Sequence, residues 1–287
     1  MRIRLALHYD LRRAPGANPA GDFEALLAHA AAADAAGIDV ARVAERPCDP
    51  DSLLPAALPV CAAIAARTER LRVGTAVLPL PLHQPLRVAE DAASIDALSG
   101  GRFELGVGLG ADPAAARAFG VEGKPRAALL EEALDVIRRA WQEGPLEHAG
   151  PHFVVEDVEV WPKPVQCPGP PIWIGAGAAA AQRRAARLAD GLLLAPGAAP
   201  EAFLEAWTGG ERPLAEARLA LPLEWAADAA ATTDAAHRLL ASCREAGQVD
   251  LVVPATPGEP RWAADPEDAF AWLTGELRPR LAERLGA

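Results

Sequence analysis

The chain has 287 residues, a formal net charge of −11 and 51% hydrophobic residues. That length suits one large α/β barrel or two smaller domains, and the apolar share can build a sizeable core. The acidic balance argues against a nucleic-acid partner, because phosphate binding needs a basic surface. Cys48, Cys61, Cys167 and Cys243 are scattered with no CxxC pair, so no metal site or disulfide framework is expected. The default setting is reduced and cytoplasmic. The opening MRIRLALHYD reads as a short apolar strand rather than a signal peptide, and no stretch reaches the length of a membrane span.

Strand and helix signals then alternate along the chain. Ile3 to His8 is a strand, followed by a loop from Asp10 to Gly21. Asp22 opens a helix to Ala36 that Gly37 ends. Ile38 to Ala44 is the second strand, Asp51-Ser52 starts a helix through Ala66, and Leu71 to Leu78 is the third strand. Arg87 to Leu98 carries Val88, Ala92, Ile95 and Leu98 at helical spacing, and Ser99-Gly100-Gly101 stops it. Phe103 to Leu109 is the fourth strand. Pro125 to Trp141 is a long helix with Leu129, Leu130, Ala133, Leu134, Ile137 and Trp141 on its buried stripe.

Residues 144–170 read as a small antiparallel insertion, with strands at Phe153 to Val155 and Val158 to Trp161. Pro171 to Gly175 is the fifth strand and Ala178 to Leu188 a helix. Gly191 to Ala195 is the sixth strand, and Pro200 to Trp207 a short helix. Arg218 to Trp225 is the seventh strand, Thr233 to Ala246 a helix, Val249 to Val253 the eighth strand, and Pro266 to Leu285 the closing helix. Eight such units imply parallel strands with crossover helices, and a closed (β/α)8 TIM barrel is the simplest way to bury them. Residues 1–287 then form a single α/β domain, with Ile3 and Val249 in neighbouring closing strands.

In a barrel of this kind the working face lies at the carboxyl ends of the strands. That rule selects His8-Tyr9-Asp10, Glu45 to Cys48, Pro79 to His83, Gly108 to Asp112, Gly175 to Ala179, Ala195 to Gly197, Trp225 and Pro254. Gly106, Gly108 and Gly110 recur at period two on one side of a strand. Either a flat ligand lies against bare backbone there, or a crowded barrel interior excludes larger side chains. Gly175-Ala176-Gly177-Ala178 joins a strand to a helix start. It is either a phosphate cradle of backbone N–H groups or a tight βα turn. Arg183, Arg184 and Arg187 read as a solvated helix face. Trp161, Trp173 and Trp225 either line a pocket or belong to the core.

The block LRVGTAVLPLPLHQPLRVAEDAASIDALSGGRFELGVGLG, with VWPKPVQCPGPPIWIGAGAAAAQRRAARLADGLLL, resembles the bacterial luciferase-like superfamily of flavin- or F420-dependent oxidoreductases. The resemblance runs from Arg2 to Leu194 and thins afterwards. It implies a TIM barrel, in agreement with the strand count. It also implies a non-proline cis peptide around Thr75-Ala76, against the flavin's central ring. Gly106, Gly108 and Gly110 would flank the same ring system, and Gly175, Ala176, Gly177 and Ala178 would receive the cofactor's phosphate. A homodimer, paired through helices near strands two to four, is the family expectation.

Three departures bear on the chemistry. Many members follow strand two with an acidic residue and a catalytic histidine, whereas this chain has Glu45 and then Arg46. Arginine stays protonated and cannot be a general base. Its role at this site would be to anchor an anionic ring or substrate, or else to pair with Glu45. Leu109 stands where relatives carry an arginine, and alanines replace the usual hydroxyl residues of the phosphate loop. Three functions compete. The first is a two-component monooxygenase using O2 and reduced FMN from a separate flavin reductase, on a small organic substrate. The second is an F420-dependent hydride-transferring oxidoreductase. The third is an altered barrel that binds another ligand. No basic patch for the polyglutamate tail of F420 is visible in the sequence, which favours FMN.

Overall fold

The structure, a computed structural model, describes residues 1–13, 18–223, 229–255 and 266–285. Its first strand, Arg2–Tyr9 (β1), shows how the barrel is built. Leu5, Leu7 and Tyr9 enter the large apolar core between strands and helices. Arg4, Ala6 and His8 therefore point into the barrel, because side chains alternate along a strand. The parallel strands Val40–Val43 (β2), Arg72–Thr75 (β3), Leu78–Pro79 (β4) and Phe103–Gly108 (β5) follow. A hairpin, Leu146–Ala149 (β6) and Val154–Val158 (β7), interrupts the series. Ile172–Ala176 (β8), Gly191–Leu194 (β9), Arg218–Pro222 (β10) and Gln248–Pro254 (β11) complete it. Counting β3 and β4 as one barrel strand gives eight, and β11 pairs with β1 in parallel, Ile3 opposite Val249. The predicted closed (β/α)8 barrel is the observed fold.

The helices run Pro19–Ala35 (α1), Ala57–Arg67 (α2), Pro85–Leu98 (α3), Pro113–Ala118 (α4), Arg126–Ala140 (α5), Ala179–Leu188 (α6), Glu201–Gly209 (α7) and Ala229–Ala241 (α8). Pro266–Trp272 (α9) and Arg278–Leu285 (α10) close the chain, joined by a wider turn at Leu273–Leu277. The α5 stripe buries Leu129, Leu130, Ala133, Leu134 and Ile137 as its periodicity predicts. Arg102, at the start of the glycine strand, donates to the carbonyls of Ala65, Thr68, Leu71 and Ser99. It satisfies carbonyls left open at the ends of α2 and α3, which gives the SGGR segment a structural purpose.

Several boundaries differ from expectation. The second helix begins at Ala57, not Asp51, because Pro55 disfavours helical geometry at Leu54. Asp112 caps the unpredicted α4, accepting from Ala114 N at 2.8 Å. In the insertion β7 pairs backwards with β6 in the predicted antiparallel sense, while Glu159 to Trp161 form no strand. The seventh strand ends at Pro222, and Trp225 lies outside the described residues.

Between β3 and β4 the barrel wall carries an extra residue. Gly74 pairs with Glu104 and Leu78 with Val107, so β3–β4 spends one residue more than β5 over the same span. This is a bulge, and the cis peptide Ala76–Val77 sits in it. Thr75 Oγ1 donates to Gly106 O at 2.6 Å and accepts from Gly106 N at 3.0 Å, replacing the interrupted ladder. The two backbones come so close that a Cβ on Gly106 would stand 2.0 Å from Thr75 O.

Charge fills the middle of the barrel. Glu104 accepts from Arg4 at 2.7 Å, Arg42 at 3.0 Å and Arg72 at 2.6 Å. Asp250 accepts from Arg4 and Arg42, each at 2.6 Å. Arg4, Arg42, Glu104 and Asp250 are all buried. The Arg42 guanidinium lies 4.5 Å from the centre of the Trp173 ring, which favours a desolvated cation. Burial alone would raise the Glu104 pKa, but the charges of Arg4, Arg42 and Arg72 outweigh it and hold the carboxyl well below 4.5.

Two outcomes test this interior. Gly106→Ala should destabilise by about 3 kcal/mol or more in urea unfolding, because the obstacle is backbone. Glu104→Gln should cost about 3–5 kcal/mol at pH 6 by stranding buried arginines. A depressed carboxylate pKa stabilises above its unfolded value and loses that contribution as pH falls. The gap between parent and Glu104→Gln should therefore narrow below pH 4.5, measured from urea midpoints.

Candidate functional site

The carboxyl ends of the strands surround a well of about 550 Å³. Its floor is the charged layer, reached at Arg42, and its inner wall includes His8 from β1, Leu193 from β9 and Val252 from β11. The opposite wall is the bulge, where Ala76 and Val77 stand against Gly108 and Gly175. A Cβ on Gly108 would lie 2.7 Å from Val77 Cγ2, and one on Gly175 2.8 Å from Val77 Cγ1. These two glycines make room for the Val77 side chain, so this wall of the well is built from small and apolar residues, Ala76, Val77, Gly108 and Gly175.

The rim continues through Ala176, Gly177 and Ala178 into α6. No side chain caps this helix, so its first N–H groups and its positive end are available to an anion. A Cβ on Gly177 would meet Ala195 Cβ at 3.1 Å, which keeps this passage narrow. Arg184 lines the well but is engaged by Glu131 at 2.8 Å.

A second lobe of about 360 Å³ shares Leu109, Gly110 and Ala111 with the well. Glu45, Arg46, Asp112 and Arg126 line it. Arg46 does not pair with Glu45. It holds Asp10 through two donors, Nε to Oδ1 at 2.8 Å and Nη2 to Oδ2 at 2.6 Å. Burial would raise the Asp10 pKa, but its bonds to Arg46 and the nearby Arg12 bring it below the ordinary value. Both Glu45 oxygens are engaged as well. Oε1 accepts from His83 Nε2 at 2.6 Å, and Oε2 accepts from Ala57 N at 2.8 Å, capping α2 from another element. Arg126 donates to Gly110 O at 2.5 Å.

The expected site residues separate into three groups. Ala76, Gly108, Gly110, Gly175, Ala176, Gly177 and Ala178 line the well. Glu45 and Arg46 line the neighbouring lobe. Thr75 and Gly106 lie below, bonded to each other within the wall, and the cis peptide falls one residue later than Thr75-Ala76. Gly106 is thus a glycine of the crowded interior. Trp173 is buried beneath the well and Trp161 is exposed away from it, so neither lines the pocket.

Comparison with known proteins decides the family. The family model for luciferase-like monooxygenases matches residues 1–282. The chain belongs to that family. It is 35% identical over 155 residues to an F420-dependent glucose-6-phosphate dehydrogenase of Microbacterium testaceum, covering 53% of this chain and 45% of that protein. It is 33% identical over 153 residues to a 4-hydroxyprotoasukamycin monooxygenase of Streptomyces nodosus subsp. asukaensis, covering 51% and 41%. The alignments thus span under half the length of these curated relatives. The fold matches the oxygenating constituent of 3,6-diketocamphane monooxygenase of Pseudomonas putida, in complex with FMN, at a TM-score of 0.78 and 17% identity. That match covers 97% of this chain and 98% of the other. Luciferase-like enzymes of this family are oxidoreductases and monooxygenases.

Two residues of the site escaped the sequence reasoning. Val77 is an ordinary valine until the bulge sets it against Gly108 and Gly175. His8 stands at a strand end, where its sequence neighbours assign it no role. Its Nε2 donates to Ala76 O at 3.1 Å, so the neutral ring presents Nδ1 as an acceptor. Its even position in β1 was the available signal, since it shares a face with Arg4.

Burial lowers the His8 pKa from 6.5, with the bond to Ala76 and the charge of Asp10 opposing it only in part. The ring should be mostly neutral at pH 6.5 and protonate below that. An NMR midpoint at or above 6.5 contradicts this. Arg46 is 40% exposed, so Arg46→Met should lower stability by about 1 kcal/mol or less in thermal unfolding.

Proposed function

We propose that the well binds reduced FMN and that the chain is the oxygenating part of a two-component monooxygenase, acting with O2 on a small organic substrate. The observation that carries this is the pairing of a wall free of bulky or charged side chains at Ala76, Val77, Gly108 and Gly175 with an uncapped helix start at Ala178. A fused planar ring with a phosphate tail has the shape those two features accept, and about 550 Å³ is a usual size for such a ligand. When bound, reduced flavin supplies the electrons that activate O2, and a separate flavin reductase would provide it.

This chain's residues then have distinct tasks. The bulge at Ala76–Val77 supports the ring face, and Gly177 and Ala178 take the phosphate through backbone N–H groups. The Nδ1 of His8 offers an acceptor at the floor. Glu45, in the lining of the second lobe, is fixed there by its bonds to His83 and Ala57 N. Arg46 keeps a fixed positive charge at the second lobe, tempered by Asp10, and Arg126 adds another from α5. With Glu45, Asp49 and Asp112 also in its lining, the lobe beside the ring is a place for a polar part of the substrate.

FMN is favoured over F420 because Arg184, the arginine at the rim of the well, is already held by Glu131. Among the described residues, the arginines that line the well, Arg42 and Arg184, are both already paired, so an acidic tail finds no unpaired arginine in that lining. The likeness to F420-dependent glucose-6-phosphate dehydrogenases supports hydride transfer with F420 as the second reading.

Calorimetric titration of the purified protein with FMN, reduced FMN and F420 separates them. Reduced FMN should bind and F420 should not. Gly177→Asp, which adds bulk toward Ala195 and a negative charge, should weaken FMN binding at least tenfold with the circular dichroism unchanged. Binding of F420 alone would establish the second reading, and binding of none would point to an altered barrel.

A further inference from the structure

The opposite end of the barrel holds a second cavity of about 520 Å³, at the amino ends of the strands. Arg2 from β1, Arg72 from β3, Arg138 from α5 and Arg218 from β10 converge on it. Arg4 and Glu104 form its ceiling, which is the underside of the buried charged layer. In a chain of net charge −11, a collection of arginines from four separate elements is out of keeping with the rest of the molecule.

The local acids do not balance them. Glu104 and Asp250 are already shared by Arg4, Arg42 and Arg72. Asp190, the remaining carboxylate of the lining, accepts from Ile172 N at 2.8 Å. Among the described residues Arg2 and Arg218 have no ion pair and no side-chain hydrogen bond, and Arg138 donates to the carbonyl of Leu188. Counting Arg42 and Asp250 with the lining, six guanidiniums face three carboxylates. Burial lowers the Arg138 pKa against the pull of Asp190 and Asp135, as expected for a cation short of compensation.

The walls are fixed rather than collapsible. Gln166 donates through its backbone N and its Nε2 to the Asp96 carboxylate, at 2.9 and 2.7 Å, and accepts from Arg72 at 3.0 Å. This ties the segment from Gln166 to Pro171 to α3 and β3, and that segment forms one side of the cavity. The side-chain amides of Gln142 and Gln248 add neutral donors.

We propose that this amino-terminal cavity is a binding site for a small phosphorylated polyanion, held chiefly by Arg2, Arg138 and Arg218. Guanidiniums arriving from several directions suit a phosphoryl group, whose oxygens point several ways and accept charge-assisted bonds. The site is separated from the carboxyl-end well by the ionic layer, so it stands independently of the flavin reading.

Calorimetry with sodium pyrophosphate at low ionic strength tests it. One saturable site is expected, weakening as salt is raised. Arg2→Glu, at the exposed mouth, and Arg218→Gln should each weaken pyrophosphate binding at least fivefold while melting like the parent in its absence. Gly177→Asp, at the other end of the barrel, should leave pyrophosphate binding unchanged. Absence of saturable binding overturns the proposal. So does loss of binding in Gly177→Asp with retention in both arginine variants, which would place the anion at the α6 cradle.

Discussion

Two carboxylates shared among three arginines occupy the space that aliphatic side chains fill in many barrels of this type. Everything else in the molecule is arranged around that layer. Each member comes from a different strand, so the layer joins β1, β2, β3, β5 and β11 through side chains as well as through the ladder. A buried charge is tolerated only when it is paired and hydrogen-bonded, and here each carboxylate oxygen takes donors from two residues. The same layer divides the interior. Arg42 is part of the floor of one cavity, and Arg4 and Glu104 are part of the ceiling of another.

Just above the layer, steric crowding takes over from charge. Gly74 and Gly106 let two neighbouring backbones approach until no Cβ would fit between them. The extra residue between β3 and β4 then has to go somewhere, and it pushes Val77 across the barrel toward Gly108 and Gly175. One glycine pair therefore permits close packing and the next pair receives the displaced side chain. The wall of the well at Val77 follows from both. The strand-two end shows the same economy: Glu45 caps α2 and holds His83, while Arg46 is committed to Asp10. His8 stands on the floor side, bonded through Nε2 to Ala76 O and close enough to Asp10 and Arg46 to feel both charges.

The order of elements was readable from the amino acids alone. Short apolar runs mark the barrel strands and period-3.6 patterns most helices, since a barrel strand is buried on both faces and a helix on one, and eight repeats leave closure as the economical solution. The carboxyl-end rule together with the glycine and alanine runs located Gly108, Gly175, Gly177 and Ala178 at the well. What periodicity cannot carry is contact between residues far apart in the chain. Arg4 and Asp250 are 246 positions apart and Arg46 and Asp10 are 36, so their pairings depend on barrel register rather than on neighbouring residues. Gly106 and Gly108 both sit between apolar neighbours, yet one meets backbone and the other a side chain, because the bulge in β3–β4 lies opposite them. Sequence determined which residues are small, charged or apolar on each face. Tertiary structure alone decided which charges meet, since the one-residue shift of β4 and the stagger of the strands set those distances.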